Sequence, residues 1–366
     1  MKYKIIPVVL LWISVASGNI YSQVYSESKS ISKSFAARED ILVDITNKYG
    51  KIHVISWPKD TVKFDIDIKV KSNNAARVNR TINGIDIDFT SSGYYLVAKT
   101  IINQKYNSVI DEIVNIAENI LVGENEVSID YRVYLPENVN LKIDNKYGDL
   151  FLDDMKGNVS INLSNGDLKA NRFLGTSDID ISFGDASIYS VKKATMTISY
   201  SDLKIKNAND LDIESKSSEI NIDKVISMNI KSKRDKYKIN KASNLFIDAY
   251  FTDIVVDELS KEFNSSATYG YIYLEFIERG FSFINISSEY TDVDLFFAEG
   301  TTYDLDINHS KEIVLRYPEE FANLEKKVIS EEDGRILTYG KIGKNTSSGK
   351  VEINAPKKSN INIFYK

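Results

Sequence analysis

The chain contains no cysteine. A disulfide framework, a thiolate metal site, a cysteine nucleophile and a lipid-modified cysteine are all excluded. Histidine is nearly as scarce: His53 and His309 are the only two, and each reads as an exposed strand or loop residue rather than a ligand. No Ser-His-Asp set, phosphate-binding glycine loop or metal-ligand spacing is present. Basic clusters are also missing. With a net charge of -6 over 366 residues, this argues against nucleic acid and against electrostatic anchoring to anionic lipid. Beyond the first apolar stretch there is no second run of 18 or more apolar residues, so no membrane-spanning helix is expected.

The N-terminus has a different character. Met1 to Lys4 is short and basic, Ile5 to Val15 is apolar, and Ala16 to Gln23 is small and polar. That order is the build of a secretory signal peptide, with cleavage after Gly18 or, preferred here, after Gln23. An exported protein without a lipid anchor is expected in the periplasm, on the outer surface or in the medium.

The rest of the chain is dominated by a returning phrase: Gly-Asp-Leu at Gly148 and Gly166, Gly-Asp-Ala at Gly184, Ser-Asp-Leu at Ser201. Taking the residue after the turn as a phase marker gives Asp149, Asp167, Asp185, Asp202, Glu219, Lys236, Asp253, Tyr271, Asp292 and Glu312, spaced by 18, 18, 17, 17, 17, 17, 18, 21 and 20 residues. A short fixed period means stacked repeats, because one unit cannot bury its own apolar face but neighbours can bury each other's. Apolar residues fall one and three after the marker (Leu150 and Leu152, Leu203 and Ile205, Ile254 and Val256) and again six before it (Ile143, Ile161, Ile179, Met196, Ile213, Ile230, Ile247). Period two means strand. Even offsets before the marker and odd offsets after it require a bend at the marker. Glycine there is expected to supply a positive φ.

The predicted fold is all-β: a parallel β-solenoid, or single-stranded β-helix, of 17–18 residues per coil, rising about 4.8 Å per coil to a rod on the order of 50 Å. The expected organisation is a signal peptide (1–23), a first coil with a small mixed N-terminal cap (24–138), regular coils (139–302) and C-terminal coils with a cap (303–366). Within the first cap, Asn74 to Ile82 and Ser108 to Leu121 have helical spacing, and Ile85 to Thr100 reads as a hairpin. This insert is expected to cover the raw edge of the first coil. An antiparallel outer-membrane barrel is disfavoured, because Lys142, Asp144, Asn162, Asp180 and Lys231 stand where lipid-facing residues would be needed.

The motifs Asn47-Lys48-Tyr49-Gly50 and Asn145-Lys146-Tyr147-Gly148-Asp149, the segment Ile129 to Pro136, and the Gly-Asp coils together resemble a bacterial envelope family of unknown function that carries the name "putative adhesin". The likeness spans about Ile41 to Lys366. It implies a β-solenoid, export and no established enzymatic activity, and it brings no catalytic or ligand residues.

Two columns of side chains bear on function. The acidic markers would stack one inter-strand step apart, as a cation site or, as favoured here, with each carboxylate bonding the backbone of its own corner. Two before the marker come Tyr147, Phe183, Tyr200, Phe251, Tyr269 and Tyr290. Their parity with the apolar positions predicts a mostly inward ladder, and Tyr147, Tyr200, Tyr269 and Tyr290 are the candidate ligand residues if the row instead faces out as a sugar-stacking platform. No catalytic residue, cofactor or metal site is expected. The functional expectation is a non-enzymatic, adhesin-like binding or scaffold protein for a glycan polymer or envelope partner. The alternatives are an envelope structural or signalling component with a protein partner, and a polysaccharide-active solenoid enzyme.

Overall fold

The structure, a computed structural model, describes residues 24–103, 126–347 and 349–366. The signal-peptide segment and the helical pattern at Ser108 to Leu121 lie outside these. Among the described residues, 22 strands join in one mixed sheet, with a single α-helix, Ala75–Asn83. That helix starts as the sequence suggests. The Asn74 side chain accepts a hydrogen bond from the Arg77 amide at 3.0 Å, while Val78, Thr81 and Ile82 are buried.

The repeat becomes a run of parallel pairings. Ile143 faces Ile161, which faces Ile179, then Met196, Ile213, Ile230 and Ile247. Past the bend, Leu150 faces Leu168, then Ala186, Leu203, Ile220 and Tyr237. These positions are buried and form one continuous core. Like therefore stacks on like, which is how units too small to hold an apolar core alone are stabilised. The step shortens by one residue where the register shifts between Phe173 and Thr176.

The bend corrects the sequence reading. Among the corner glycines, Gly270 has a positive φ, of 152°, but Gly148, Gly166 and Gly184 do not. The left-handed residue is the one before, two before the marker: Tyr49, Tyr147, Asn165, Phe183, Tyr200, Ser217, Arg234, Phe251, Tyr269 and Tyr290, with φ from 51° to 67°. Glycine is needed for closeness instead. A Cβ on Gly148 would lie 2.0 Å from the Gly50 carbonyl oxygen, and one on Gly166 would lie 2.3 Å from that of Gly148.

Later units carry a side chain at this position and use it as an acceptor. The amides of Gly184, Ser201, Ser218 and Asp235 donate to Ser201 Oγ, Ser218 Oγ, Asp235 Oδ1 and Thr252 Oγ1 at 3.3, 3.2, 2.8 and 3.4 Å. The marker acids also reach forward rather than to their own corners. Asp149 Oδ1 accepts from the Asp167 amide at 3.0 Å, and Asp167 Oδ1 from the Asp185 amide at 2.9 Å.

At the N-terminal side, Leu42–Lys48 and Ile52–Ser56 pair in parallel with Asn140–Lys146 and Leu150–Leu152. Their other edges are taken by Tyr95–Ile102 and Glu126–Leu135. The predicted hairpin forms between Ile85–Ser91 and Tyr95–Ile102. Outermost lies Tyr25–Ala36, antiparallel to Thr61–Ser72.

The C-terminal order is not the order of the chain. Gly349–Ala355 lies between Phe283–Phe297 and Tyr303–Ser310, parallel to both, and Asn360–Tyr365 lies between Phe283–Phe297 and Val314–Arg316. The spatial successor of Asp292 is thus Asn360, whose amide donates to Asp292 Oδ1 at 2.8 Å, and not Glu312. Ile361 and Ile363 settle beside Val293 and Leu295; apolar matching across space decides the order, irrespective of separation along the chain.

Candidate binding surfaces

The aromatic row faces outward, against the parity expectation. A positive φ swings the side chain off the strand's alternation, so counting along a straight strand fails at this one residue. Tyr200 and Tyr269 are 48% and 39% exposed, Phe183, Phe251 and Tyr290 are likewise exposed, and Tyr147 is partly buried against Tyr49. The rings stack in register with the units: Phe183 on Tyr200 at 5.2 Å and 2°, Phe251 on Tyr269 at 4.7 Å and 9°, and Tyr269 on Tyr290 at 5.1 Å and 7°. Asn165 separates Tyr147 from Phe183, and Ser217 and Arg234 separate Tyr200 from Phe251. The four tyrosines are therefore split among three clusters. Within each cluster the ring faces are spent on one another, and edges and hydroxyls remain for solvent.

Two open grooves run along the strand faces. One, of about 960 Å³, is lined by Phe151, Lys169, Tyr189, Lys204, Lys206 and Lys238 among others. Its central column follows the registers directly, from His53 through Phe151, Lys169, Ser187, Lys204 and Asn221 to Lys238. Lys206 Nζ sits 4.9 Å from the Tyr189 ring centroid and Lys169 Nζ 6.0 Å from that of Phe151. The other groove, of about 700 Å³, has carboxylates and amides: Asp212, Glu214, Asn229, Asp248 and Asn264, with Lys231 and the exposed ring of Phe246. On the face leading to it, burial raises the Asp180 pKa above the ordinary carboxylate value, with the neighbouring Asp178 adding to the effect.

Other titratable groups fall away from the grooves. Glu258 and Glu278 share a hydrogen bond beside Lys241: the Lys241 ammonium holds Glu258 below the usual carboxylate range, while burial and then the Glu258 contact push Glu278 up. This pair, on neighbouring units, was not visible in the sequence, and neither residue lines either groove.

His309, expected to be exposed, is buried. Its Nδ1 lies 2.9 Å from the Ser310 carbonyl oxygen and its Nε2 lies 3.0 Å from Thr338 Oγ1. Burial lowers its pKa. His53 is exposed at the head of the lysine column. Asp235 is buried and accepts from Ser215 Oγ, Ser232 Oγ and the amides of Ser218 and Lys233 at 2.6–2.9 Å.

The asparagine of the Asn-Lys-Tyr-Gly phrase also finds its role here. Asn145 Nδ2 points inward and donates to the carbonyl oxygens of Gly148 and Gly50 at 2.7 and 3.1 Å. Among the described residues there is no group of three or more His, Asp or Glu that could hold a metal ion, and no helix long and apolar enough to cross a membrane.

No protein-family model and no curated protein matches the chain. Among solved structures, a putative cell adhesion protein from Clostridium sporogenes ATCC 15579 is similar at 10% identity over 93% of this chain and 100% of that one, with a TM-score of 0.19. A putative adhesin from Parabacteroides distasonis ATCC 8503 is similar at 11% identity over 91% and 97%, with a TM-score of 0.25. A putative lipid binding protein from the same strain is similar at 10% identity over 74% and 92%, with a TM-score of 0.25.

Proposed function

We infer that the chain is an exported, non-enzymatic β-solenoid whose long strand-lined faces bind a polymeric glycan or an envelope partner. The observation that carries this reading is the register itself. From Ile143 to Ile247 every step moves 17 or 18 residues with like residue on like, so the outward side chains also line up in straight columns. A periodic surface suits a periodic ligand. The strands Tyr95–Ile102 and Glu126–Leu135 act as the N-terminal cap, and the segment 303–366 closes the other end. Residues 1–23 are the export signal. Tyr147, Tyr200, Tyr269 and Tyr290 contribute ring edges and hydroxyls, the Tyr200 face toward Ser217 being covered by the Lys216 ammonium 5.5 Å from the ring centroid.

The test is equilibrium binding of the purified chain to a panel of envelope and host polysaccharides, with calcium and with chelator. Saturable binding without product formation supports the reading. Silence across the panel overturns the glycan arm of the reading and leaves a protein partner in the envelope, while a released product would make the chain an enzyme.

A further inference from the structure

The lysine-bearing groove has a spacing of its own. In the column Phe151, Lys169, Ser187, Lys204, Asn221, Lys238, each residue is the parallel partner of the next, so lysine occupies every second unit. Two inter-strand steps are about 9.6 Å, a length comparable with one disaccharide of an extended glycan. The flanking column places Lys206 over Tyr189.

The local pairing leaves these cations open to a ligand. Among the described residues none of Lys169, Lys204, Lys206 and Lys238 is in an ion pair. The groove's three carboxylates are held by neutral donors instead. Asp153 accepts from the Ser56 amide at 3.2 Å, Glu219 from Asn221 Nδ2 at 3.1 Å and Asp223 from Asn240 Nδ2 at 2.6 Å. The other groove, with Asp212, Glu214 and Asp248 against Lys231, would repel a polyanion.

Resting on the binding reading above, we propose that this groove takes an extended acidic polysaccharide whose negative charge recurs once per disaccharide, with Lys169, Lys204 and Lys238 meeting successive charges, the Tyr189 ring meeting the sugar between the first two and the Phe151 ring the sugar before Lys169. Ring faces give stacking without sequence of charge, and the lysine period gives the selection.

The experiment compares binding of the purified chain to hyaluronan, whose uronate alternates with a neutral sugar, to polygalacturonate, charged at every sugar, to neutral dextran and to single-stranded DNA. Hyaluronan is expected to bind best and to weaken with added salt. Lys204→Glu and Lys238→Glu are each expected to weaken it about five- to tenfold, and Lys192→Glu, exposed on another face, to leave it unchanged. All three variants are checked for an unaltered melting curve. Polygalacturonate or DNA binding as tightly as hyaluronan would overturn the period. Dextran binding as well as hyaluronan, indifferent to salt and to the lysine variants, would overturn this inference and leave polymer binding standing. Silence of every polymer would overturn both.

Discussion

The rings of Phe251 and Tyr269 lie 4.7 Å apart and 9° from parallel, each on a residue with φ between 53° and 57°. A bulky residue in that region is strained by roughly 1–2 kcal/mol, and an offset ring pair returns about 0.5–1.5 kcal/mol. The row thus exists because consecutive units place ring on ring. Where the row breaks, at Arg234, the strain has no such offset.

The two positions should therefore respond to glycine with opposite signs. Arg234→Gly relieves strain at an exposed residue and is expected to stabilise by about 0.5 kcal/mol. Tyr269→Gly removes the contacts to Phe251 and Tyr290 and is expected to cost about 1–2 kcal/mol. Denaturant melts of both variants read this directly, and equal signs would refute the compensation.

Corner glycines are set by clearance between units. Gly166→Ala drives a methyl group into the Gly148 carbonyl oxygen 2.3 Å away and is expected to destabilise by about 2–4 kcal/mol. At Gly93, where a Cβ would meet nothing within 4 Å, the same change should be within about 0.5 kcal/mol of neutral.

Asp235 holds a corner by accepting from two hydroxyls and two amides in the interior. Asp235→Ala leaves those donors buried without an acceptor and is expected to cost about 3 kcal/mol or more. Asp202→Ala, one position along the corner phrase and exposed, should cost under about 0.5 kcal/mol. Thermal unfolding of the pair separates the two roles.

His309 sets a pH dependence. Burial holds its folded-state pKa below the unfolded value near 6.5, so below that value the unfolded chain binds a proton that the folded chain resists. Stability is expected to fall as pH drops through and below the unfolded pKa, and His309→Gln should flatten that part of the profile. An unchanged slope in urea melts across this range would rule His309 out as its source.

Much of this was legible in the sequence. The unit length, the inward residues at Ile213 or Leu203 and the helix at Asn74 all follow from periodicity and capping, which are local. Three features were not. The left-handed corner residue is an aromatic at seven of the ten corners named above, against the steric rule that points to the adjacent glycine. The burial of His309 depends on Thr338, 29 residues away. The insertion of Gly349–Ala355 between Phe283–Phe297 and Tyr303–Ser310 breaks the premise that neighbours in the chain are neighbours in the stack. Asn360 did carry the signal, since Ile361 and Ile363 stand one and three after it, as after every marker.

A distance ladder tests the stacked architecture most directly. Because the chain has no native cysteine, spin labels can be placed on single introduced cysteines in pairs along the lysine column. The expected distances are about 10 Å between positions 169 and 204 and about 19 Å between 169 and 238, in proportion to two and four inter-strand steps. Distances that fail to grow with the number of units between the labels would contradict the solenoid, and with it the periodic surface on which the proposed function depends.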